Sequence, residues 1–267
     1  MSKKIDLAIV GATGAVGEAM IRILEQRGFP VGAIYLLASE RAAGTVLTFR
    51  GHPVRVGRLD EFDFSKVSLS LFSAGGAISA VHAPRAVEAG CLVIDNTSHF
   101  RTDPDIPLVV PEVNPHALRS GNGIIANPNC STIQMVLVLK PLHDHFNIKR
   151  VVVSTYQSVS GGGKATMDEL ISQSKDYLSG KKIESKNFTK QIAFNLIPHI
   201  DEFVDEGYTK EEWKMENETK KILDPKIKMT ATCVRVPVMV SHSESINVEF
   251  EKNFDIKKVK EILSSAT

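Results

Sequence analysis

The chain of 267 residues lacks most of the signals that mark specialised proteins. It has no excess of either charge, with 32 Lys and Arg against 31 Asp and Glu. A nucleic-acid or membrane-surface protein would show a basic surplus or stripe, so neither partner is expected. It has no apolar run of membrane-spanning length. The opening Lys3-Lys4-Ile5-Asp6 leads into a short apolar stretch with no small-residue cleavage site, so a cytoplasmic location is expected. It has only three cysteines, Cys91, Cys130 and Cys233, too far apart for a disulfide framework or a metal set. His143 and His145 flank Asp144 with no third ligand in reach, so no metal site is expected. There are no internal repeats and no low-complexity tract.

What the sequence does have is 43% hydrophobic residues, enough for a sizeable core in one large or two modest domains. In the first half, short apolar runs alternate with helical spacing. Ile5–Val10, Ala33–Ala38, Leu69–Ser73 and Leu92–Asp95 read as strands, and Glu18–Leu24 and Ala77–Glu88 as helices. That alternation predicts a doubly wound, Rossmann-type parallel sheet. The character changes after Asn127-Pro128-Asn129, a sequence that breaks regular structure. Ser131–Leu139, Lys164–Leu178 and Glu211–Lys220 have helical character, with Asn195–Glu218 a long polar connection. Arg150–Ser160, Met229–Met239 and Ile246–Phe250 are strand-like, and Lys257–Leu263 is helix-like. The expected division is a dinucleotide-binding domain over residues 1–129 and a mixed-sheet α+β catalytic and dimerisation domain over residues 130–267.

Gly11-Ala12-Thr13-Gly14-Ala15-Val16-Gly17 lies between the first strand and the first helix. The spacing is a variant of the dinucleotide fingerprint, in the strand–turn–helix setting that lets a pyrophosphate meet helix N-terminal amides. Ser39-Glu40-Arg41 closes the second strand. Ser39 and Arg41 can hold a 2′-phosphate and favour NADP, whereas Glu40 can instead hold a ribose hydroxyl. Ser73 and Thr97 lie in small polar segments that end two further strands, where ligands of such sheets sit.

Asn129-Cys130-Ser131-Thr132 precedes an apolar helix. Asn129 is a good N-cap, which would set Cys130 in the first helical turn. The dipole and free amides there favour a thiolate and can hold an oxyanion. On local grounds alone, a nucleophile and a buried core thiol are both open for Cys130. Cys91 and Cys233 sit in apolar strands and read as small core residues.

Taken with Gly11–Gly17, the Asn129–Thr132 segment resembles aspartate-β-semialdehyde dehydrogenase. More matching segments follow in order: Tyr156–Gly161, Phe194–Ile200, Glu211–Lys214, Arg235–Val238 and His242–Glu244. The resemblance implies NADPH-dependent reduction of 4-phospho-L-aspartate to L-aspartate 4-semialdehyde and inorganic phosphate, in lysine, threonine, methionine and isoleucine biosynthesis. It implies Cys130 as thioester-forming nucleophile, His242 as general acid/base and Gln157 as the residue that orients substrate. Arg235 is expected to pair with the substrate α-carboxylate and Glu211 with its ammonium. Arg101, Lys214 and Asn129 are expected at the phosphate. Gly11, Thr13, Gly14, Ala15, Val16, Ser39, Arg41, Ala42, Ser73, Thr97, Ser160 and Gly161 are expected at NADP. Ala42 stands where the family commonly has a hydroxyl residue, which leaves more of the 2′-phosphate loop to Ser39 and Arg41. A homodimer is implied for the full-length family. The chain stops at Thr267, where family members continue through further strands and a last helix, so a truncated or shortened relative is expected. The alternatives are a reductase of another acyl phosphate, such as N-acetylglutamyl phosphate, or an inactive truncated derivative.

Overall fold

The computed structural model describes residues 3–120 and 123–266, and the chain divides into two compact units. The first is the chain through Val109 together with His116–Pro128; the second is Val110–Pro115 with the chain from Asn129 on. Among the described residues, no helix is long and apolar enough to cross a membrane.

In the first unit, β1 (Ile5–Val10) runs into helix α1 (Ala15–Gln26) and returns as β2 (Val31–Ala38). Leu7, Ile9 and Val10 of β1 are fully buried, as a continuous apolar run in a two-sided parallel sheet must be. A short hairpin, β3 (Val46–Phe49) with β4 (His52–Arg55), and a two-residue strand β5 (Gly57–Arg58) follow. Then come β6 (Leu69–Phe72), α2 (Gly76–Glu88), β7 (Leu92–Asp95) and β8 (Ile124–Ala126). The six-stranded sheet has the order β5-β2-β1-β6-β7-β8, and every pairing in it is parallel. The chain leaves β1 toward β2 on one side and later fills β6 on the other. The carboxyl ends of β1 and β6 therefore form the switch point at which such sheets bind ligands.

The second unit is built on α3 (Cys130–Phe146), β9 (Ile148–Gln157), α4 (Lys164–Leu178), α5 (Lys210–Ile222), β10 (Lys228–Arg235), β11 (His242–Phe250) and α6 (Ile256–Ser265). Its three-stranded sheet is mixed: β10 runs parallel to central β9 and β11 antiparallel to it. One face packs Val151 and Val153 of β9 and Cys233 of β10 against Met135 and Leu139 of α3 and Met215 of α5. Met135, Leu139 and Met215 are fully buried. Truncating Leu139 to Ala would cost about 2–5 kcal/mol and loosen the helix that carries Cys130.

The strand ends differ from those expected. β9 stops at Gln157 rather than Ser160, because Ser158 begins a 3₁₀ turn over Val159–Gly162 whose first amides bond to Val238 and Met239. β10 stops at Arg235 rather than Met239; Val236 gives its amide to Gln157, and Pro237 has none to give. β11 starts earlier than expected, at His242, because its polar residues alternate on an edge strand with one face exposed. The polar connection after α4 is pinned to it. The buried Glu169 carboxylate accepts the backbone amides of Lys186 and Asn187, and Gln173 accepts those of Ile192 and Ala193.

Candidate active site

Asn129 caps α3: its Oδ1 accepts the amides of Ser131 at 2.9 Å and Thr132 at 3.3 Å. That cap places Cys130 at the first helical position, exposed to solvent, while Cys91 and Cys233 are buried. Burial pushes the Cys233 thiol up to about 12, against a lowering hydrogen bond with Thr155; Glu211, Glu212 and Glu244 raise it further. Burial also raises the Cys91 thiol, against a lowering contact with Ser70. Only Cys130 joins exposure to a helix N-terminus, the setting that yields a reactive thiolate.

Beside it the sheet brings three expected residues onto one rung. Gln157 ends β9 and pairs in register with Arg235, which ends β10, and with His242, which begins β11. The Gln157 side chain is buried and satisfied: Thr155 Oγ1 donates to its Oε1 at 2.9 Å, and its Nε2 donates to Glu211 Oε1 at 3.1 Å. The same Glu211 oxygen accepts Asn129 Nδ2 at 2.8 Å. One carboxylate therefore joins the cap of the nucleophile's helix to the end of the central strand. Each amide nitrogen keeps a second N–H for a ligand.

Glu211 projects from the first turn of α5, a helix started by a capping box between Thr209 and Glu212. Burial would raise its carboxyl, but the Lys214 charge and the hydrogen bonds from Asn129, Gln157 and Lys214 outweigh that, and the net direction is down. Lys214 donates to Asp201 Oδ2 at 2.6 Å and to Glu211 Oε2 at 3.3 Å. Burial would lower its ammonium, and the two carboxylates overcome that and raise it. Arg235 is buried, with Nη1 donating to the Ser158 carbonyl at 2.7 Å. The His242 imidazole receives the Ser158 backbone N–H at Nδ1, at 2.9 Å. Gly161 lies over both: a Cβ there would be 2.9 Å from Arg235 Nη1 and 3.7 Å from His242 Cε1 and Nε2. Ser160 gives its amide to Met239 and exchanges a hydroxyl contact of 2.9 Å with Ser158.

The first unit holds the other expected residues. Gly11 adopts a φ of +87°, and a Cβ on it would be 3.0 Å from the Ala74 nitrogen, so the chain ends of β1 and β6 approach as only glycine permits. A Cβ on Gly17 would collide with the Gly11 carbonyl oxygen. Gly14 is the N-cap of α1 and brings no side chain to the helix amides. Gly14 gives its own amide to the Gly11 carbonyl at 3.1 Å, so the amides of Thr13, Ala15 and Val16 are the ones offered to an anion, and the turn fits a dinucleotide pyrophosphate. Ser39 precedes a 3₁₀ turn over Glu40–Ala42. Glu40 pairs with Arg58 at 3.3 Å, while Arg41 has no ion-pair partner among the described residues. The Ser73 hydroxyl donates to the Val10 carbonyl, and the Thr97 hydroxyl is committed to buried Asp95 at 2.8 Å. Arg101 is buried in this unit and donates from Nη2 to the Asn96 carbonyl at 2.8 Å.

The sequence profile described as "Semialdehyde dehydrogenase, NAD binding domain" matches residues 6–121, and that described as "Semialdehyde dehydrogenase, dimerisation domain" matches residues 139–267. Aspartate-semialdehyde dehydrogenase 2 of Vibrio cholerae is 56% identical over 266 residues, which are 98% of this chain and 79% of the relative. The chain belongs to the aspartate-semialdehyde dehydrogenase family. A crystal structure of aspartate semialdehyde dehydrogenase II from V. cholerae, complexed with ASA, superposes with a TM-score of 0.97 at 55% identity, covering 99% of this chain and 80% of that one. The Candida albicans enzyme, determined with NADP, superposes at 0.76 with 26% identity, covering 98% and 76%. Family membership fixes the coarse chemistry as that of an oxidoreductase with a nicotinamide cofactor, on a Rossmann-type domain joined to a mixed-sheet domain.

Two further residues bear on the site without a role assigned from the sequence motifs. Ser158, fully buried, touches both Arg235 and His242. Glu218, also buried, accepts the Asn129 backbone amide at 2.6 Å. The only sequence signal for Glu218 is its spacing from Glu211, two helical turns along the same face of α5.

Proposed function

We propose that this protein reduces 4-phospho-L-aspartate reversibly to L-aspartate 4-semialdehyde and phosphate, with NADPH as reductant. The observation that carries it is the exposed, capped Cys130 beside a single sheet rung of Gln157, Arg235 and His242. Cys130 attacks the acyl carbonyl as thiolate, the phosphate leaves with the electron pair of its bond, and a thioester remains. The amides of the first α3 turn receive the developing oxyanion. Bound NADPH supplies the hydride that takes the thioester to the thiohemiacetal level. His242 passes the proton that accompanies formation and collapse of the thiohemiacetal. Burial, together with the Arg235 charge, lowers the His242 pKa against the opposing Ser241 carbonyl and Glu211, so the ring is neutral at neutral pH and able to accept.

Arg235 grips the substrate α-carboxylate through the face of its guanidinium not used by Ser158. Glu211, held ionised, receives the substrate ammonium, and Gln157 orients the acyl group with its remaining N–H. Lys214, Arg101 and Asn129 take the phosphate. Thr13, Gly14, Ala15 and Val16 with Gly11 take the pyrophosphate; Ser39, Arg41 and Ala42 lie at the 2′-phosphate, and Ser73, Thr97, Ser160 and Gly161 line the remainder of the cofactor. Arg41, with no ion-pair partner among the described residues, and Ser39 beside it support NADP over NAD. The proposed setting is the cytoplasm, in the biosynthesis of lysine, threonine, methionine and isoleucine, and the proposed assembly is a homodimer.

The test is phosphate-dependent NADPH formation from L-aspartate 4-semialdehyde. Cys130→Ala is expected to abolish it, and normal turnover by that variant would refute the assignment. Offered both acyl phosphates, the protein is expected to favour 4-phospho-L-aspartate over N-acetylglutamyl phosphate, because an acylated amine leaves Glu211 without its cation; the reverse preference would overturn the substrate.

A further inference from the structure

Ser158 presents two opposite hydrogen-bonding groups to one imidazole nitrogen. Its backbone N–H lies 2.9 Å from His242 Nδ1, and its hydroxyl oxygen lies 3.2 Å from the same atom. The N–H can only donate, whereas the hydroxyl can accept. A neutral ring with its lone pair at Nδ1 takes the N–H and carries its proton at Nε2. A ring protonated at Nδ1 is repelled by that N–H and needs an acceptor. The hydroxyl is the acceptor at hand, and the Ser160 hydroxyl, 2.9 Å from it, can donate into it in turn.

We propose that Ser158 is the positioning residue that sets the tautomer of His242: its N–H holds the Nε2–H form, and its hydroxyl holds the Nδ1–H form, which alone has the Nε2 lone pair that takes the proton. The proposal rests on the function assigned above. In the oxidative direction the thiohemiacetal O–H bond breaks, its electron pair stays on oxygen, and the proton forms a new N–H bond at Nε2. The proton at Nδ1 stays where it is, held by the Ser158 hydroxyl. In the reductive direction the imidazolium returns the same proton from Nε2 and keeps its Nδ1 proton on the Ser158 hydroxyl.

Ser158 acts among three other groups at the ring, and one of them, the Ser241 carbonyl, is a second acceptor. Arg235 on β10 opposes a second ring proton, while Glu211 on α5 and the carbonyl of neighbouring Ser241 favour it. Gly161 approaches the Cε1–Nε2 edge with no side chain. The Ser158 carbonyl meanwhile fixes Arg235, so a change confined to the hydroxyl separates proton transfer from substrate binding.

Ser158→Ala keeps both backbone contacts and removes the hydroxyl. Its expected effect is on the pH profile of semialdehyde oxidation. The acid limb of kcat moves to lower pH by about one unit, the size of one lost hydrogen bond to a charged group, and the plateau falls about tenfold. KM for the semialdehyde stays within about twofold, because the Arg235 contact is made by backbone. Ser158→Thr, which retains the hydroxyl, is expected to restore the limb. In protein carrying 15N-labelled histidine, with the His242 signals assigned by their loss in His242→Gln, wild type is expected to show a neutral ring divided between Nδ1–H and Nε2–H forms. Ser158→Ala is expected to show the Nε2–H share increased at the expense of Nδ1–H. Should the alanine variant not fold, Ser158→Cys supplies a near-isosteric group that accepts poorly, and the same displacements are expected. An unmoved limb together with unchanged nitrogen shifts in a folded variant overturns the role of Ser158. An inactive wild type would instead overturn the proposed function, and the nitrogen shifts would still decide the tautomers.

Discussion

Glu244 offers a quantitative check on the packing beneath the site. It lies on β11 two residues beyond His242, facing Thr155 across the strand pair. It is half-buried, and its Oε1 has no hydrogen-bond partner among the described residues. Burial pushes its carboxyl from an ordinary 4.5 up to about 7, with a hydrogen bond from Gln134 opposing the rise. A carboxyl whose folded pKa is raised is stabilised in its protonated form. Folding therefore loses stability as pH climbs from the unfolded value toward about 7, and no more is lost above that. The full displacement corresponds to about 3 kcal/mol at about 1.36 kcal/mol per pH unit. Water still reaches part of the side chain, which reduces the expected effect to about 1–2 kcal/mol.

Glu244→Gln removes the titration and keeps the shape. Urea unfolding of both proteins at pH 5 and pH 8 is the assay. Near pH 5 the two are expected to differ little, and at pH 8 the variant is expected to be more stable by about 1–2 kcal/mol, with unchanged denaturant slope. A stability difference independent of pH would refute the reasoning, since it would mean that the carboxyl is as well solvated in the folded chain as in the unfolded one. A wild type that gained on the variant at pH 8 would refute it more strongly, by requiring a cation beside Glu244.

The remaining predictions concern the two sites. Gly17→Ala puts a Cβ against the Gly11 carbonyl oxygen and 2.7 Å from the Ala12 Cα, backbone atoms that cannot yield. It is expected to cost about 1–3 kcal/mol and to weaken cofactor binding at least tenfold by fluorescence titration. Iodoacetamide should alkylate Cys130 rapidly in folded protein, while Cys91 and Cys233, buried and with raised pKa values, react only on unfolding; mass mapping of the adducts decides this. Arg235→Lys retains charge and loses the planar fork, so KM for the semialdehyde is expected to rise about ten- to hundredfold in steady-state assays.

Much of this was legible in the sequence where local chemistry and tertiary structure agree. Asn129 before an apolar run is an N-cap signal in any context, and the cap is made. Gly11 and Gly17 of the first turn are required by backbone geometry alone, so their spacing announced the turn. Strand ends were less legible. Arg150–Ser160 continues β-branched and small residues past Gln157, and only the contacts of Val159 and Ser160 with Val238 and Met239 show that the chain has left the ladder. The start of β11 hid behind the polar run His242–Ser245, since an edge strand with one open face needs no apolar pattern there. Ser158 was silent for another reason. Two of its three contacts with Arg235 and His242 are made by backbone N–H and carbonyl, which every residue but proline possesses, and its hydroxyl is one of two in Ser158–Ser160, so no side-chain pattern singled it out.

The division of labour among the acids follows from the same geometry. Glu211 and Glu218 lie two turns apart on one face of α5, and both reach Asn129, one at the side chain and one at the backbone amide. Asn129 then has its Oδ1 on the α3 amides, its backbone N–H on Glu218 and one Nδ2 hydrogen on Glu211. A residue so committed can lend at most one N–H to a phosphate, so its larger effect is to hold the first turn of α3 still. Because Glu211 also holds Gln157, a shift of α5 would move the nucleophile's helix and the central strand together. Cys130 itself is exposed at that helix end, and the buried residues around it hold the helix turn that presents its sulfur to a carbonyl.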